Sequence, residues 1–230
     1  MDPIVDENEL PDQDFPSLPK RLLLVFVSPG KLNGYLAENP KWLTALLAAV
    51  VLIGISVAFL PVDLFLEAQR QAALEAGRDF PEMPERMLAV MRYAFPIGAV
   101  ISTFVITVVF AGFYTLVFAF ILGDEGRFKQ YLAVLAHSTF IAAAFTLLAT
   151  PLRVSTGDVQ FTLNLASFLF FLPDGYLLNV FRALDLTQIW STLVFAQGVH
   201  TIDPRRSFGS AAAILLTILL GISLIAARFM

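Results

Sequence analysis

Charged residues divide the chain into long apolar stretches and short polar ones. Six stretches contain no Asp, Glu, Lys or Arg over 15 residues or more: Trp42–Val62, Tyr93–Gly123, Gln130–Leu152, Val159–Pro173, Leu186–Ile202 and Ser207–Ala227. A helix that crosses the hydrocarbon core of a bilayer needs about 20 mainly apolar residues. Helices also satisfy their own backbone hydrogen bonds, which the bilayer cannot do. The pattern therefore predicts an all-α, polytopic membrane helical bundle.

Five of these stretches are long enough for a crossing. We expect five transmembrane helices, in a domain covering residues 20–230, near residues 42–61, 93–122, 131–150, 186–202 and 208–227. Pro151 is expected to close the third crossing. Val159–Pro173 has only 15 residues and ends at the turn signal Pro173-Asp174-Gly175. We interpret it as a segment lying in the membrane interface, with a sixth crossing as the alternative.

The polar segments predict shorter helices. Leu22–Val27 is too short to cross and is flanked by bases, which favours a helix lying in the interface. From Val62 to Gly77, acids and bases interleave with apolar residues, and prolines at 81 and 84 then turn the chain. This predicts a hairpin, Val62–Arg92, that protrudes beyond the bilayer. The candidate contact residues for a partner are Phe65, Leu66, Arg70, Arg127 and Lys129.

Composition narrows the function classes. Hydrophobic residues make up 57% of the chain and charged residues 15%, against about 45–50% and about 25% in soluble domains. This excludes a soluble enzyme and a nucleic-acid binder. Without cysteine, the chain has no disulfide and no thiolate metal site. Residues 1–15 carry six acids and no base, so we interpret residues 1–19 as a disordered acidic tail.

The predicted crossings carry few groups that could do chemistry. The candidate intramembrane polar positions are His137, Gln197 and Asn164. Two histidines without nearby acids or thiols cannot supply the three or four ligands of a zinc site. We therefore interpret these side chains as makers of interhelical hydrogen bonds. We expect a non-enzymatic protein with no cofactor, no metal and no nucleic-acid partner; the alternative is a small-molecule or lipid transporter or channel that uses the intramembrane polar residues.

Three segments resemble the Yip (Ypt-interacting-protein) domain family, in the right order. They are the Ser28-Pro29-Gly30 turn with Pro40-Lys41-Trp42 before the first crossing, the glycine turn Gly123–Gln130 before the third, and Asp185–Trp190 at the start of the fourth. The resemblance implies a five-helix integral membrane protein with a cytosolic N-terminus and no catalytic residues. Eukaryotic relatives bind Rab-type GTPases in vesicle traffic. Met1–Pro19 contains no tyrosine and so lacks their acidic, tyrosine-containing signature, and the chain looks more like the bacterial-type members.

The basic residues agree with that orientation. With an internal N-terminus and five crossings, eight bases lie inside and seven outside, and the inner ones are denser in short turns near the membrane. We expect a protein of the bacterial cytoplasmic (inner) membrane with its N-terminus in the cytoplasm. Its expected partners are the lipid bilayer and either a protein partner or further copies of itself, in a membrane-organising or partner-binding role.

Overall fold

The computed structural model describes residues 15–81, 83–159 and 161–230, and most of these residues are helical. The helices in chain order are α1 (Leu18–Val27), α2 (Pro29–Glu38), α3 (Leu43–Phe59), α4 (Val62–Glu75), α5 (Glu85–Thr115), α6 (Phe128–Thr156), α7 (Tyr176–Ala183), α8 (Leu186–Ile202) and α9 (Phe208–Ala226). A π-helix, Leu116–Ile121, continues α5, and a short 3-10 helix, Leu165–Phe168, precedes α7. The predicted all-α bundle is confirmed.

Helix length and composition set the number of membrane spans. Three helices in the described part of the chain are long and apolar enough to cross a bilayer: α5 with its π-helix, α6 and α9. The pair α3 and α4 passes the same test as one bent unit. With 17 residues each, α3 and α8 reach only about 25 Å. The five predicted crossings coincide with α3, α5, α6, α8 and α9, but the count of five is approximate.

The core of the bundle lies around α6, which packs against α1, α2, α3, α5 and α8. Its first turns are buried almost without interruption from Tyr131 to Ser138. Two glycines let neighbouring helices come close to one another. A methyl group at Gly198 of α8 would overlap the side chain of Val134, and one at Gly54 of α3 would lie 2.7 Å from Val100. Close backbone approach at small residues is typical of membrane bundles.

The prediction that Pro151 closes the third crossing is wrong. Pro151 lies inside α6, which continues to Thr156 and ends where Gly157 adopts φ +74°. A proline removes one backbone donor, and this weakens a helix without always ending it. The residue that ends α6 is the glycine, because its left-handed conformation is unfavourable for a residue with a side chain.

The predicted hairpin begins with α4, which does not continue the line of α3. The axes of the two helices are bent by 81° from each other. That the hairpin protrudes beyond the bilayer stays a prediction. Leu60 has extended backbone angles, φ −80° and ψ 127°, and is followed by Pro61. Proline disfavours the helical conformation of the residue before it, and this accounts for the break.

The segment before α7 does not form another crossing. Among its described residues, only Leu165–Phe168 is helical, as a 3-10 turn. The helix that follows, α7, has no counterpart among the predicted elements. It is amphipathic, with Leu178 and Val180 buried, and the hydroxyl of Tyr176 donates to the carbonyl of Leu224 at the end of α9 over 2.8 Å.

The N-terminal prediction concerns residues that lie mostly outside the described part of the chain, since the description starts at Phe15. Leu18 and Pro19, which the prediction placed in the tail, begin α1. Proline fits the first turn of a helix because the N–H group that it lacks would have no partner there.

Candidate functional site

Two side-chain contacts show which polar segments share one end of the bundle. The side-chain amide of Gln130 at the start of α6 donates to the carbonyl of Ala37 in α2 over 2.7 Å. The backbone N–H of Glu125 donates to Asp203 in the α8–α9 turn over 2.9 Å. We call this end the basic end. It contains α1, α2, the turn before α6 that includes Glu125, and the α8–α9 turn. The α3–α4 break and the α6–α7 connection lie at the opposite end.

A buried arginine joins α1 to two further helices at the basic end. The side chain of Arg21 is 4% exposed. Its guanidinium donates to the carbonyl of Lys41 over 3.1 Å, to the hydroxyl of Thr44 over 3.1 Å and to Nε2 of His137 over 3.3 Å. Because arginine can only donate, Nε2 of His137 must accept. The ring proton is therefore on Nδ1, which donates to the carbonyl of Ala133 over 2.8 Å.

The Arg21–His137 contact changes the interpretation of α1. The sequence predicted a helix lying in the interface, but α1 packs on α2, α3 and α6, with Arg21 and Val25 buried on one face. Arg21 and Val25 share a helix face because they are four residues apart. The spacing alone does not show which face is buried, because Lys20 and Leu24 have the same spacing and Lys20 is exposed.

An ion-pair network holds the two turns of the basic end together. Arg206 bonds the carboxylate of Asp124 with distances down to 2.6 Å, and Arg205 bonds Asp203 at 2.7 Å. Arg205 also lies 3.2 Å from Glu125. Hydrogen bonds from the Arg205 side chain and from the Glu125 backbone hold the pKa of Asp203 well below its usual range. The carboxylate of Asp124 raises the pKa of Arg206.

The structure does not bring the three predicted intramembrane polar residues together. His137 is buried beside Arg21, whereas Gln197 is half-buried on α8, near Gly30. Asn164 lies outside the spanning helices, where its side chain accepts from the backbone N–H of Ser167 and caps the 3-10 turn. Within the described residues, no three His, Asp or Glu side chains are grouped so as to hold a metal ion.

An interhelical contact that the sequence did not single out lies between α3 and α6. The hydroxyls of Ser56 and Thr150 are 2.6 Å apart, and both residues are buried. The Ser56 hydroxyl also lies 3.4 Å from the carbonyl of Thr146, and Thr150 donates to the same carbonyl. Such hydrogen bonds between spanning helices add about 1 kcal/mol or less each.

The opposite end carries an open cleft between α4 and α5. The cleft has a volume of about 380 Å³, and its lining combines apolar and charged side chains, namely Asp63, Leu66, Glu67, Arg70, Phe80, Pro81, Met83 and Leu88. Phe65 of α4 packs on Phe95 of α5 with ring centroids 5.2 Å apart. The structure therefore separates the predicted contact residues: Phe65, Leu66 and Arg70 lie at this end, and Arg127 and Lys129 lie at the basic end.

Comparison with known proteins places the chain in a family. A family model described as the Yip1 domain matches residues 23–227. No curated protein and no solved structure matches the chain significantly. The matched range includes all the helices from α2 to α9 and the second half of α1. This chain is a membrane protein of the Yip1 domain family.

Proposed function

We propose that this chain is a non-enzymatic protein that binds a protein partner in the membrane through the cleft between α4 and α5. The observation that carries the proposal is the exposure of α4. None of the described side chains of this 14-residue helix is fully buried, and its main contact in the chain is α5. A short helix is only marginally stable on its own, and most helices in proteins are stabilised by packing of one face. A partner that packs on the exposed face of α4 would therefore stabilise it.

The chemistry of the cleft fits a segment of another protein. Leu66, Met83 and Leu88 supply apolar contacts, while Glu67 and Arg70 supply charges of both signs at the rim. Grooves of this kind accept an amphipathic helix, which inserts apolar side chains and pairs its polar ones at the edge. Arg70 forms no salt bridge within the described residues, so its guanidinium is free to pair with a carboxylate of the partner.

The absence of an enzymatic role is supported by the bonding of His137. Both of its ring nitrogens are engaged, one by Arg21 and the other by Ala133. The neighbouring Ser138 hydroxyl donates to the carbonyl of Leu135. A serine nucleophile needs a base within hydrogen-bond reach of its hydroxyl, and this pair does not provide one.

We further propose that the protein resides in the bacterial cytoplasmic membrane with its basic end in the cytoplasm, following the positive-inside rule. The chain contains no cysteine, so single cysteines can be introduced without background. A membrane-impermeant maleimide added to intact spheroplasts should label Arg78→Cys at the opposite end and leave Lys31→Cys unlabelled. Labelling of Lys31→Cys alone would reverse the orientation.

Affinity purification from native membranes tests the partner. Leu66→Glu places a charge in the cleft and should abolish recovery of a partner that copurifies with the wild-type chain. Ala72→Glu is the matched control, because Ala72 is exposed on α4 but does not line the cleft. Equal recovery with both variants, or solute flux in proteoliposomes containing the purified chain, would contradict the proposal.

A further inference from the structure

Arg21 is a buried cation without a carboxylate partner. Its three hydrogen-bond acceptors, Lys41, Thr44 and His137, are all neutral at the atoms they present, and its Nε atom is buried without a partner. Burial lowers the pKa of Arg21, and no acid among the described residues offsets this effect. An uncompensated buried charge is costly, so this position favours the approach of an anion.

A second cation lies beside Arg21 and reaches the surface. The Nζ atom of Lys41 lies 4.4 Å from the centre of the Phe15 ring, and Cζ of Arg21 lies 5.0 Å from the same centre. Lys41 and Thr44 are both exposed, and neither base forms a salt bridge within the described residues. The two cations and the Thr44 hydroxyl, which accepts from Arg21, form a positively charged site at the start of α3.

An exposed apolar stripe runs along α3 directly below this site. Leu43, Leu47, Val51 and Ile55 are between 39% and 52% exposed, and they recur every four residues. Residues at this spacing lie on one face of a helix. The start of α3 therefore places positive charge at the level of the lipid headgroups. The apolar stripe of the same helix lies at the level of the acyl chains.

The unpaired bases at the start of α6 do not have such a stripe. Lys129 and Arg127 are exposed at the start of α6 and form no salt bridge within the described residues. The positions three, four and seven residues after Lys129 are Leu132, Ala133 and Ala136, and all three are buried in the bundle. The combination of cation and lipid-facing stripe thus distinguishes the start of α3 from the start of α6.

We propose that the site formed by Lys41, Thr44 and Arg21 binds the phosphate of an anionic phospholipid whose acyl chain lies along Leu47, Val51 and Ile55. The exposed Lys41 and the Thr44 hydroxyl contact the phosphate directly. Arg21 lies behind them and supplies the positive charge that no side chain of the described residues neutralises. This lipid site lies at the end of the bundle opposite the proposed partner cleft, so either can be tested without the other.

Native mass spectrometry of the full chain tests the site. The protein is released from nanodiscs that contain phosphatidylcholine with phosphatidylglycerol, and the lipids that remain bound are counted. We expect the wild-type chain to retain phosphatidylglycerol in preference to phosphatidylcholine. Lys41→Gln should weaken phosphatidylglycerol binding about fivefold, the effect of one base near a membrane surface. The variant should fold normally, because the Lys41 side chain is exposed and donates no hydrogen bond within the described residues.

The matched control is Lys129→Gln, which removes the same charge at the same end and should leave lipid retention unchanged. Equal losses at Lys41 and Lys129 would show only the general attraction between bases and anionic membranes, and would overturn the proposal. An Asp12→Asn, Asp14→Asn double variant tests whether the acidic N-terminal residues occupy the site. If the wild-type chain retains no more phosphatidylglycerol than phosphatidylcholine and the double variant does retain it, the N-terminal acids occupy the site and the proposal is wrong.

Discussion

Single residues at the basic end connect segments that are far apart in the chain. Arg21 in α1 reaches His137, 116 positions later, and this contact fixes both the position of α1 and the tautomer of the histidine. Asp203 gathers hydrogen bonds from Glu125 and Arg205 and thereby joins the two turns. The side chains of Arg21, His137 and Asp203 are buried, so the contacts of each should be visible in the stability of the whole protein.

His137→Ala should lower the free energy of unfolding by about 1–3 kcal/mol, because it leaves a buried arginine with one acceptor fewer. His137→Gln offers an acceptor oxygen in the same region and should cost less. Reversible chemical unfolding in detergent micelles measures both. If the two substitutions cost the same, packing of the ring and not the hydrogen bond to Arg21 accounts for the effect.

Asp203→Asn should lower the unfolding temperature at neutral pH. The folded-state pKa of Asp203 lies below that of an unfolded aspartate, about 3.9. Its ionised form therefore stabilises the fold above about pH 4, and this stabilisation is lost as the pH falls through the folded-state value. Thermal unfolding across acid pH should show the difference between wild type and variant narrowing below about pH 4.

The control for this pH dependence is Asp174→Asn. Asp174 also pairs with an arginine, Arg182, but its side chain is 89% exposed, whereas that of Asp203 is 4% exposed. Exposed ion pairs add little to stability. A loss at Asp174 as large as the loss at Asp203 would contradict the importance that we give to burial of this network.

At the scale of the helices, close approach between α6 and α8 depends on Gly198. An added methyl would overlap Val134, whose branched side chain is fully buried and cannot move aside easily. Gly198→Ala should therefore destabilise the protein by about 1–3 kcal/mol, and Val134→Ala in the same chain should recover part of the loss. Gly221→Ala on α9 should be neutral, since nothing lies within 4 Å of its added methyl. Unfolding in micelles compares the three.

The helices also show what the sequence could and could not predict. Runs without charge located α3, α5, α6, α8 and α9, because the requirement for apolar length is local. The end of α6 and the direction of α4 were harder to predict, because they depend on single prolines and glycines. Pro151 does not end α6, whereas Gly157 does, and α4 is bent by 81° from α3 after Pro61. Helix α7 was not predicted because it has only eight residues. Its apolar side chains are buried by packing on α9, a contact that the local sequence does not show.

At the scale of the whole molecule, the two ends of the bundle differ in chemistry. The basic end contains the ion pairs of Arg205 and Arg206, together with Lys41 and Lys129, which form no salt bridge within the described residues. The opposite end contains the cleft between α4 and α5. Leu66 and Arg70 could be predicted as candidate contact residues because they lie in an unusual charged segment, and both line the cleft. The Arg21–His137 pair could not be predicted, because the pattern within single helices does not report a contact across 116 positions.

Site-specific cross-linking in native membranes tests the partner cleft most directly. A photo-cross-linker attached to Met83→Cys, in the wall of the cleft, should give one adduct of discrete mass that disappears when Leu66→Glu is added. The same cross-linker at Ala72→Cys, exposed on α4 but outside the cleft, should give no such adduct. Identical adducts from both positions, or an adduct that survives Leu66→Glu, would contradict the account.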